Sequence, residues 1–310
     1  MSNVPEVIVL AGPTAVGKTA IAQQVCRQIG GAIVGCDSRQ VYRYLDIGTA
    51  KPTAAELGPV QHYLLDVAGP GETYHVQRYY DDATATINYL LKKQIVPVVT
   101  VGTGMFFEAL QYNLISTPVV SKEMRHRALS AVSNNRDQVY EILQHVDPLA
   151  AINKGDTQRL VRWYEVYLET GKSMRCYFSK RLSKPRFSAL NFTLERSRQE
   201  LYQRINSRVE LMLQQGLVEE ISKAMQVGYD FTKVPVVGYS EFMPFINGRA
   251  TLMECAEEVK KHSRRYAKRQ MTWFRNRLRF PALQLGTSCM SEEAAVAHIV
   301  MCWSNRNDLS

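Results

Sequence analysis

A chain of 310 residues, 45% of them hydrophobic, can bury the core of one large α/β domain or of a domain with an insertion. No charge-free apolar run approaches the roughly 20 residues that cross a bilayer, and the start MSNVPEVIVLAG lacks the basic segment of a secretory leader, so a cytoplasmic protein without a membrane partner is expected. The net charge of +9 is concentrated: residues 259–280, VKKHSRRYAKRQMTWFRNRLRF, hold nine of the 38 Lys and Arg and none of the 29 Asp and Glu, which points to a polyphosphate partner such as RNA or DNA.

VPEVIVLAG (4–12) is an apolar, β-branched run that ends in the glycine loop GPTAVGKT (12–19), and KTAIAQQVCRQIG after it has helical spacing. AIVGC (32–36) delivers Asp37 at its end, HYLLDV (62–67) delivers Asp66, and QIVPVVTVG (94–102) ends in GTG before MFFEALQYN. The alternation predicts a mostly parallel sheet with helices on both faces, with the loop, Asp37, Asp66 and Thr103 sharing one crevice at the strand ends. From about Pro118 to Pro185 the pattern turns helical; DTQRLVRWYEVYLETG (156–171) opens on a capping Asp156 and closes on Gly171. FSALNFTL (187–194) reads as a returning strand, the remainder as helices, and the polar end SNRNDLS as frayed. The expected organisation is a P-loop NTPase-like α/β core (1–117 and 186–285), a helical insertion (118–185) and a C-terminal tail (286–310). Read as a helix, the basic run sets Lys261, Arg264, Arg265, Lys268 and Arg269 at i, i+3, i+4 spacing with Tyr266, Trp273 and Phe274 between them. The six cysteines (Cys26, Cys36, Cys176, Cys255, Cys289, Cys302) form no CxxC pair and no zinc spacing, and read as reduced core thiols.

The loop completes G-x-x-x-x-G-K-[ST] between a strand and a helix: Gly12 and Gly17 let backbone amides converge on phosphate oxygens, Lys18 adds a point charge, and Thr19 can bind Mg²⁺. The motif defines the anion and not the chemistry, since a nucleoside triphosphate and an isoprenoid diphosphate present similar oxygens. DVAG (66–69) and NKGD (153–156) imitate GTPase elements in the right order, but NKGD follows HVDPLAAI instead of a buried apolar strand, and Asp156 already serves as a helix cap. A small-molecule kinase is the better rival.

The long polar segment DSRQVYRYLDIGTAKP (37–52) carries Asp37, Gln40, Tyr42 and Lys51 beside the phosphate loop. Together with GPTAVGKT, VGTGMFFEAL, GDTQRLVRWYEV, RINSRVELMLQQGLVEEI, VVGYSEF and AKRQMTWFR, it resembles the successive motifs of tRNA dimethylallyltransferases, in order, from about residue 8 to 280. The resemblance implies transfer of a dimethylallyl group from dimethylallyl diphosphate to N6 of the adenosine just 3′ of a tRNA anticodon, with Mg²⁺, by a monomer of the compact bacterial form. On it, Gly12, Thr14, Ala15, Val16, Gly17, Lys18 and Thr19 hold the diphosphate, Asp37 is the general base, and Ser38, Arg39 and Gln40 meet the target nucleotide. It also carries tRNA contacts onto Thr103, Arg125 and Gln158, Arg159, Leu160, Val161 and Arg162, and a diphosphate clamp onto Arg208, with Arg204 as the alternative. The basic run, through Arg264, Arg265 and Lys268, suits the RNA backbone.

On position alone, Asp37 could cap a helix or bind Mg²⁺, Ser38 and Tyr42 could be turn and packing residues, and Arg159 and Arg162 could be salt-bridged surface charges. Transfer to free adenine nucleotides is a further alternative, against which the basic run argues. Val16 stands where the family usually has Ser or Ala, Val101 replaces the first glycine of GGTG, and FTKVPVVGYSEF lacks the Arg that usually precedes its G-Y pair.

Overall fold

The computed structural model describes residues 4–112, 117–180, 185–231 and 236–309; the remainder, including 232–235 of FTKVPVVGYSEF, lies outside the described residues. The chain forms two compact units, Met1–Gln111 with Pro185–Ser310, and Tyr112–Lys184.

In the larger unit, β1 (Val7–Ala11), α1 (Lys18–Ile29), β2 (Gly31–Cys36), a short α2 (Ala54–Leu57), β3 (His62–Tyr63), α3 (Val76–Lys92), β4 (Val96–Val101) and α4 (Gly104–Tyr112) come first. The smaller unit follows with α5 (Lys122–Asn134), α6 (Arg136–Val146) and α7 (Thr157–Thr170). The chain then re-enters the larger unit through β5 (Ala189–Arg196), α8 (Arg198–Gln214), α9 (Leu217–Gln226), a short α10 (Met243–Ile246), α11 (Leu252–Trp273), a π turn (Phe274–Leu278), β6 (Ala282–Leu285) and α12 (Glu292–Ser304).

The six strands pair in parallel in the order β3-β2-β4-β1-β5-β6. A parallel sheet is covered on both faces, and β1 is apolar throughout for that reason. Alternate residues go to opposite sides: Ile8 and Leu10 pack with Ile21, Val25, Leu201 and Ile205, while Val7, Val9 and Ala11 pack with Tyr79, Leu90, Phe106 and Phe107. Val101 pairs with both Ala11 and Cys36, so the carboxyl ends of β1, β2 and β4 stand level, and the segments that leave them are brought together.

Two sequence expectations need correction. The run 62–67 makes only a two-residue strand, because Leu64 and Asp66 adopt left-handed backbone (φ 66° and 56°) that ends the pairing. Asp66 then accepts from the Lys51 ammonium at 2.6 Å, which takes it out of the expected crevice. The segment 286–310 also carries more structure than a tail: α12 is capped by Ser291, opens on Glu292 and Glu293, and buries Ala295, Val296, Ile299 and Trp303 in the core shared with α1. The polar end, expected to fray, continues as a 3₁₀ turn, Arg306–Leu309.

The smaller unit has its own core of Ala128, Val132, Val139, Leu143, Leu160 and Val161. Asp156 caps α7 by accepting from the Arg159 amide (3.1 Å), and Gly171 closes that helix in the left-handed region, so NKGD is a helix start. Among the described residues no helix is long and apolar enough to cross a membrane.

Candidate active site

The phosphate loop leaves β1 and turns sharply into α1. Ala15 (φ 64°) and Gly17 (φ 111°) are both left-handed, which curls the backbone around a concavity; Gly17 is required there, because any side chain would be strained and would also meet Glu292. The amides of Gly17, Lys18 and Thr19 make no hydrogen bond among the described residues, and they open the first turn of α1, where an anion is favoured. The Lys18 ammonium donates to the carbonyls of Gly12 (2.7 Å) and Pro13 (2.9 Å). Burial pushes its pKa down to about 8, with the Asp37 charge opposing and the Arg208 charge reinforcing that shift. Val16 is buried in the sheet core, as is Val101, so both departures from the family pattern are packing changes.

The loop forms one wall of a cavity of about 350 Å³ lined by Thr14 to Thr19, Asp37 to Gln40, Gly48 to Ala50 and Gly102, with α8 and α11 opposite. Asp37 follows β2 directly; one oxygen accepts from the Arg39 amide (2.8 Å), and the carboxylate lies against the backbone of Gly102. Ser38 is held by Thr103, whose hydroxyl accepts from the Ser38 amide (3.0 Å) and meets the Ser38 hydroxyl at 3.3 Å. Gln40 turns its side-chain amide onto the carbonyls of Thr49 and Ala50. Tyr266 of α11 also lines the cavity; burial and then the Asp37 charge push its phenol up to about 12.

Arg208 of α8 lines this cavity and has no ion pair among the described residues. Burial, then the neighbouring Arg204 charge, lowers its pKa from the usual guanidinium value, with the Glu56 charge opposing that shift. Arg204 does not line the cavity; its Nε donates to the Ala15 carbonyl (2.8 Å) from behind the loop. Below Arg208, the side chains of Ile205, Val209 and Met212 on α8 and Val259 on α11 make an apolar wall. An anion cradle, an apolar wall and a carboxylate therefore meet in one cavity.

Several residues shape this cavity in ways that the sequence does not announce. Gln270 bridges two of its walls, accepting from the Thr14 amide (2.9 Å) and donating to the Gly102 carbonyl (2.7 Å). Glu220 of α9 gathers the amides of Asp46, Ile47 and Gly48 (2.9, 2.8 and 3.1 Å) and the Tyr239 hydroxyl (2.7 Å), so the 37–52 segment is held from outside. Lys51, singled out in that segment, is a strut: its ammonium bridges the Tyr42 carbonyl, Asp46 and Asp66. Arg196, at the end of β5, donates from Nε to the Val16 carbonyl (2.9 Å) and forks onto Glu200 and Glu292.

In the smaller unit, Leu160 and Val161 face its core, so their side chains are not available to RNA. Arg162 and Arg125 are both tied to the buried Glu165 carboxylate, at 2.6 and 3.2 Å, and Arg162 also donates to the Thr117 hydroxyl. Gln158 and Arg159 are exposed. The basic run splits in two: Lys260 pairs with Glu210 and Glu257, Lys261 with Glu258, and Arg264 donates to Asn206 (2.7 Å). Arg265 and Lys268 are exposed and have no ion pair among the described residues.

A parallel α/β sheet with this loop at its strand ends defines the P-loop class of fold. The chain belongs to the IPP transferase family, whose model matches residues 40–277, while a model described as isopentenyl transferase matches residues 5–69. It is 40% identical over 274 residues to tRNA dimethylallyltransferase 1 of Citrifermentans bemidjiense, covering 87% of this chain and 89% of that one, and 38% identical over 276 residues to the tRNA dimethylallyltransferase of Acetivibrio thermocellus, covering 87% and 88%. Among solved structures it is similar to the tRNA isopentenylpyrophosphate transferase of Bacillus halodurans, at 30% identity with a TM-score of 0.72 over 98% of this chain and 97% of that one. It shares its fold with a eukaryotic dimethylallyltransferase acting on tRNA, at 24% identity and a TM-score of 0.82 over 96% and 78%.

Proposed function

We propose that the protein transfers a dimethylallyl group from dimethylallyl diphosphate to N6 of the adenosine 3′-adjacent to the anticodon in tRNA and releases diphosphate, acting as a cytoplasmic monomer. The observation that carries the reading is the apolar wall of Ile205, Val209, Met212 and Val259 directly beside Arg208 and the phosphate loop. A kinase needs polar groups where the acceptor hydroxyl meets the γ-phosphate; a five-carbon allyl chain needs an apolar surface next to its diphosphate.

In this reading the loop amides, Lys18 and Arg208 hold the diphosphate. The adenosine base enters beside Asp37, and because its N6 lone pair is delocalised into the ring, the amine is a weak nucleophile. As N6 attacks the allylic carbon, the carbon–oxygen bond to the diphosphate breaks, the electron pair leaves with the diphosphate, and the N6 proton passes to the Asp37 carboxylate. Charge builds on the leaving diphosphate, where Lys18, Arg208 and the amides of Gly17 to Thr19 stabilise it. Among the described residues no cluster of three or more His, Cys, Asp or Glu could hold a metal ion, whereas the Thr19 hydroxyl and the Asp37 carboxylate both line the cavity. That donor set fits Mg²⁺ held mainly by ligand phosphate oxygens with Thr19; bound there, Mg²⁺ would neutralise diphosphate charge. A base stacked in the anticodon loop cannot reach the cavity, so it must be extruded, with Ser38, Arg39 and Gln40 beside it and Thr103, Arg125, Gln158, Arg159 and the basic run gripping the surrounding RNA.

The test is to incubate the protein with Mg²⁺ and dimethylallyl diphosphate together with either anticodon stem-loop RNA or AMP, and to weigh the products. The RNA should gain one dimethylallyl group and AMP none. Phosphate transfer from ATP or GTP, insensitive to the isoprenoid, would establish the kinase instead.

A further inference from the structure

Two arginines that do not line the cavity hold successive carbonyls of the phosphate loop: Arg204 Nε donates to Ala15 (2.8 Å) and Arg196 Nε to Val16 (2.9 Å). Both guanidiniums then turn to one carboxylate oxygen, Oε1 of Glu292, which Arg196 meets in close contact and Arg204 at 3.8 Å. Arg196 also has Glu200, whereas Glu292 gives Arg204 its one ion pair among the described residues. The same oxygen lies 3.1 Å from where a Cβ on Gly17 would stand, so it rests against the loop backbone without lining the cavity.

The fold, and not a motif, brings Glu292 there. It is the first residue of α12, where Ser291 caps the helix by accepting from the Ala294 amide (3.1 Å) and where an acid is favoured. Ala295, Val296 and Ile299 of that helix share a core with Ile21, Ala22 and Val25 of α1, so two helices that both begin beside the loop are locked together. The last of the resembling motifs, AKRQMTWFR (267–275), ends before β6, and Glu292 belongs to none of them.

We propose that Glu292 is a positioning residue for the phosphate loop, acting through Arg196 and Arg204, and that the C-terminal helix is thereby part of the diphosphate site although it gives that site no atom. This role rests on the diphosphate reading of the loop and deepens it. A carboxylate between two like charges keeps both guanidiniums turned toward the loop, and with the Val16 carbonyl fixed, the rigid Val16–Gly17 peptide aims the Gly17 amide into the cavity. Two effects of Glu292 oppose each other. Its negative charge alone disfavours a bound diphosphate, so by field alone its removal would tighten binding; its hold on the loop works the other way. The field acts through a partly solvated network and is screened, whereas the amide meets the phosphate directly, so the positioning effect is the larger.

Titration with inorganic pyrophosphate compares wild type with Glu292→Ala, Glu292→Gln and Ile299→Ala, at a temperature where circular dichroism shows each to be folded. Glu292→Ala should bind about fivefold more weakly, the loss of roughly one well-directed hydrogen bond. Glu292→Gln keeps an acceptor oxygen and should recover at least part of that affinity. Ile299→Ala cuts the core of the same helix; it should lower Tm by about 4–10 °C and leave pyrophosphate affinity at the wild-type value. In an Arg196→Met background, Glu292→Ala should cost no more than about twofold, because the route through Val16 is already gone. Unchanged or tighter pyrophosphate binding by Glu292→Ala would overturn the proposal. So would an equal loss in Ile299→Ala, which would make α12 a support of the fold alone, or full additivity with Arg196→Met. Wild type that binds no pyrophosphate would overturn the diphosphate reading and this role together, whereas RNA left unprenylated by a protein that keeps the pyrophosphate pattern would overturn the transfer reading and leave this role standing.

Discussion

Arg196 gives the sharpest test of how the phosphate loop is held. Its side chain is 5% exposed, and its three bonding directions go to the Val16 carbonyl, Glu200 and Glu292, whose side chains are 30% and 28% exposed. The Val16–Gly17 peptide is planar and trans, so a carbonyl held on the Arg196 side directs the Gly17 amide to the opposite side, toward the cavity. Arg204 fixes the preceding carbonyl, that of Ala15, in the same way. Arg196 thus acts on the ligand only through the loop. Removing one member of a buried ion pair costs about 3–5 kcal/mol, and because both glutamates keep some contact with water the expected loss for Arg196→Met is lower, about 2–3 kcal/mol. At about 2 °C per kcal/mol for a chain of this size, Tm should fall by about 4–6 °C.

The loop should suffer separately from the fold. An amide aimed at a charged ligand contributes about 1.5–3 kcal/mol, and partial loss of its direction should weaken pyrophosphate binding by about tenfold. Calorimetric unfolding gives the first quantity and titration with inorganic pyrophosphate the second. Arg196→Lys keeps the charge and loses the fork, so it should recover part of the stability and little of the affinity. Lower stability with unchanged pyrophosphate affinity in Arg196→Met would refute the positioning argument; wild-type values for both would refute the burial argument as well.

Asp37→Asn keeps shape and hydrogen bonding but removes the proton acceptor, so single-turnover transfer should fall by about 10²- to 10⁴-fold while tRNA and diphosphate affinities stay within a few-fold; loss of diphosphate affinity first would make Asp37 a metal ligand instead. The variant with Arg264, Arg265 and Lys268 all replaced by Gln should bind tRNA more weakly and with a flatter salt dependence. The log–log slope should fall by about 0.7–0.9 for each phosphate no longer neutralised, and the total should be nearer that of two phosphates than three because Arg264 is bonded to Asn206. An unchanged slope would leave these residues as a solvated helix face. The Lys18 pKa of about 8 lies below the usual 10.5, so the free folded chain carries fewer protons than the unfolded one between those values, and this group makes stability rise with pH across that window. A bound diphosphate favours the charged form, so pyrophosphate binding near pH 9 should take up a proton that Lys18→Met does not; titration in buffers of different ionisation heat reads it, and equal uptake in both proteins would contradict the assignment.

What is legible in the sequence is local in the chain. The strand, glycine loop and helix of residues 4–30 announce themselves because the loop's chemistry depends on residues a few positions apart, and the β2 end that presents Asp37 reads off one apolar run. Resemblance alone ranks Arg208 ahead of Arg204 as the diphosphate clamp, and the geometry separates the two: one lines the cavity, the other bonds the back of the loop. Asp66 misleads because HYLLDV has the composition of a strand, while the left-handed turn at Leu64 and Asp66 is met by partners elsewhere in the chain, Gln40, Arg43 and Lys51. The C-terminal helix is easily underestimated because the apolar side of VAHIVMCW finds its partner on α1, at the other end of the chain.

The residues that stay invisible share one property, long sequence separation from what they hold. Gln270 bonds Thr14 from 256 positions away, Glu220 bonds residues 46–48 from more than 170, and Arg196 bonds Val16 from 180. Gln270 and Glu220 lie within AKRQMTWFR and RINSRVELMLQQGLVEEI, but those runs do not say what either side chain bonds, and a glutamine, a glutamate and an arginine on helices or at a strand end look like surface residues until the fold closes. Yet these three hold the phosphate loop, the 37–52 segment and the end of β4 in register, so a cavity assembled from loops of three different strands keeps one shape. Glu220→Gln separates that role from chemistry. The one remaining carbonyl oxygen can still accept from the amides of Asp46 and Ile47, with bonds weakened by about half without the charge, but the NH2 that replaces the other oxygen cannot accept from the Gly48 amide. With Gly48 to Ala50 less firmly held, KM for tRNA should rise several-fold while the single-turnover rate at saturating tRNA stays near wild type. A fall in that rate with KM unchanged would mean that Glu220 affects the reacting groups themselves, and that the 37–52 segment is positioned from somewhere else.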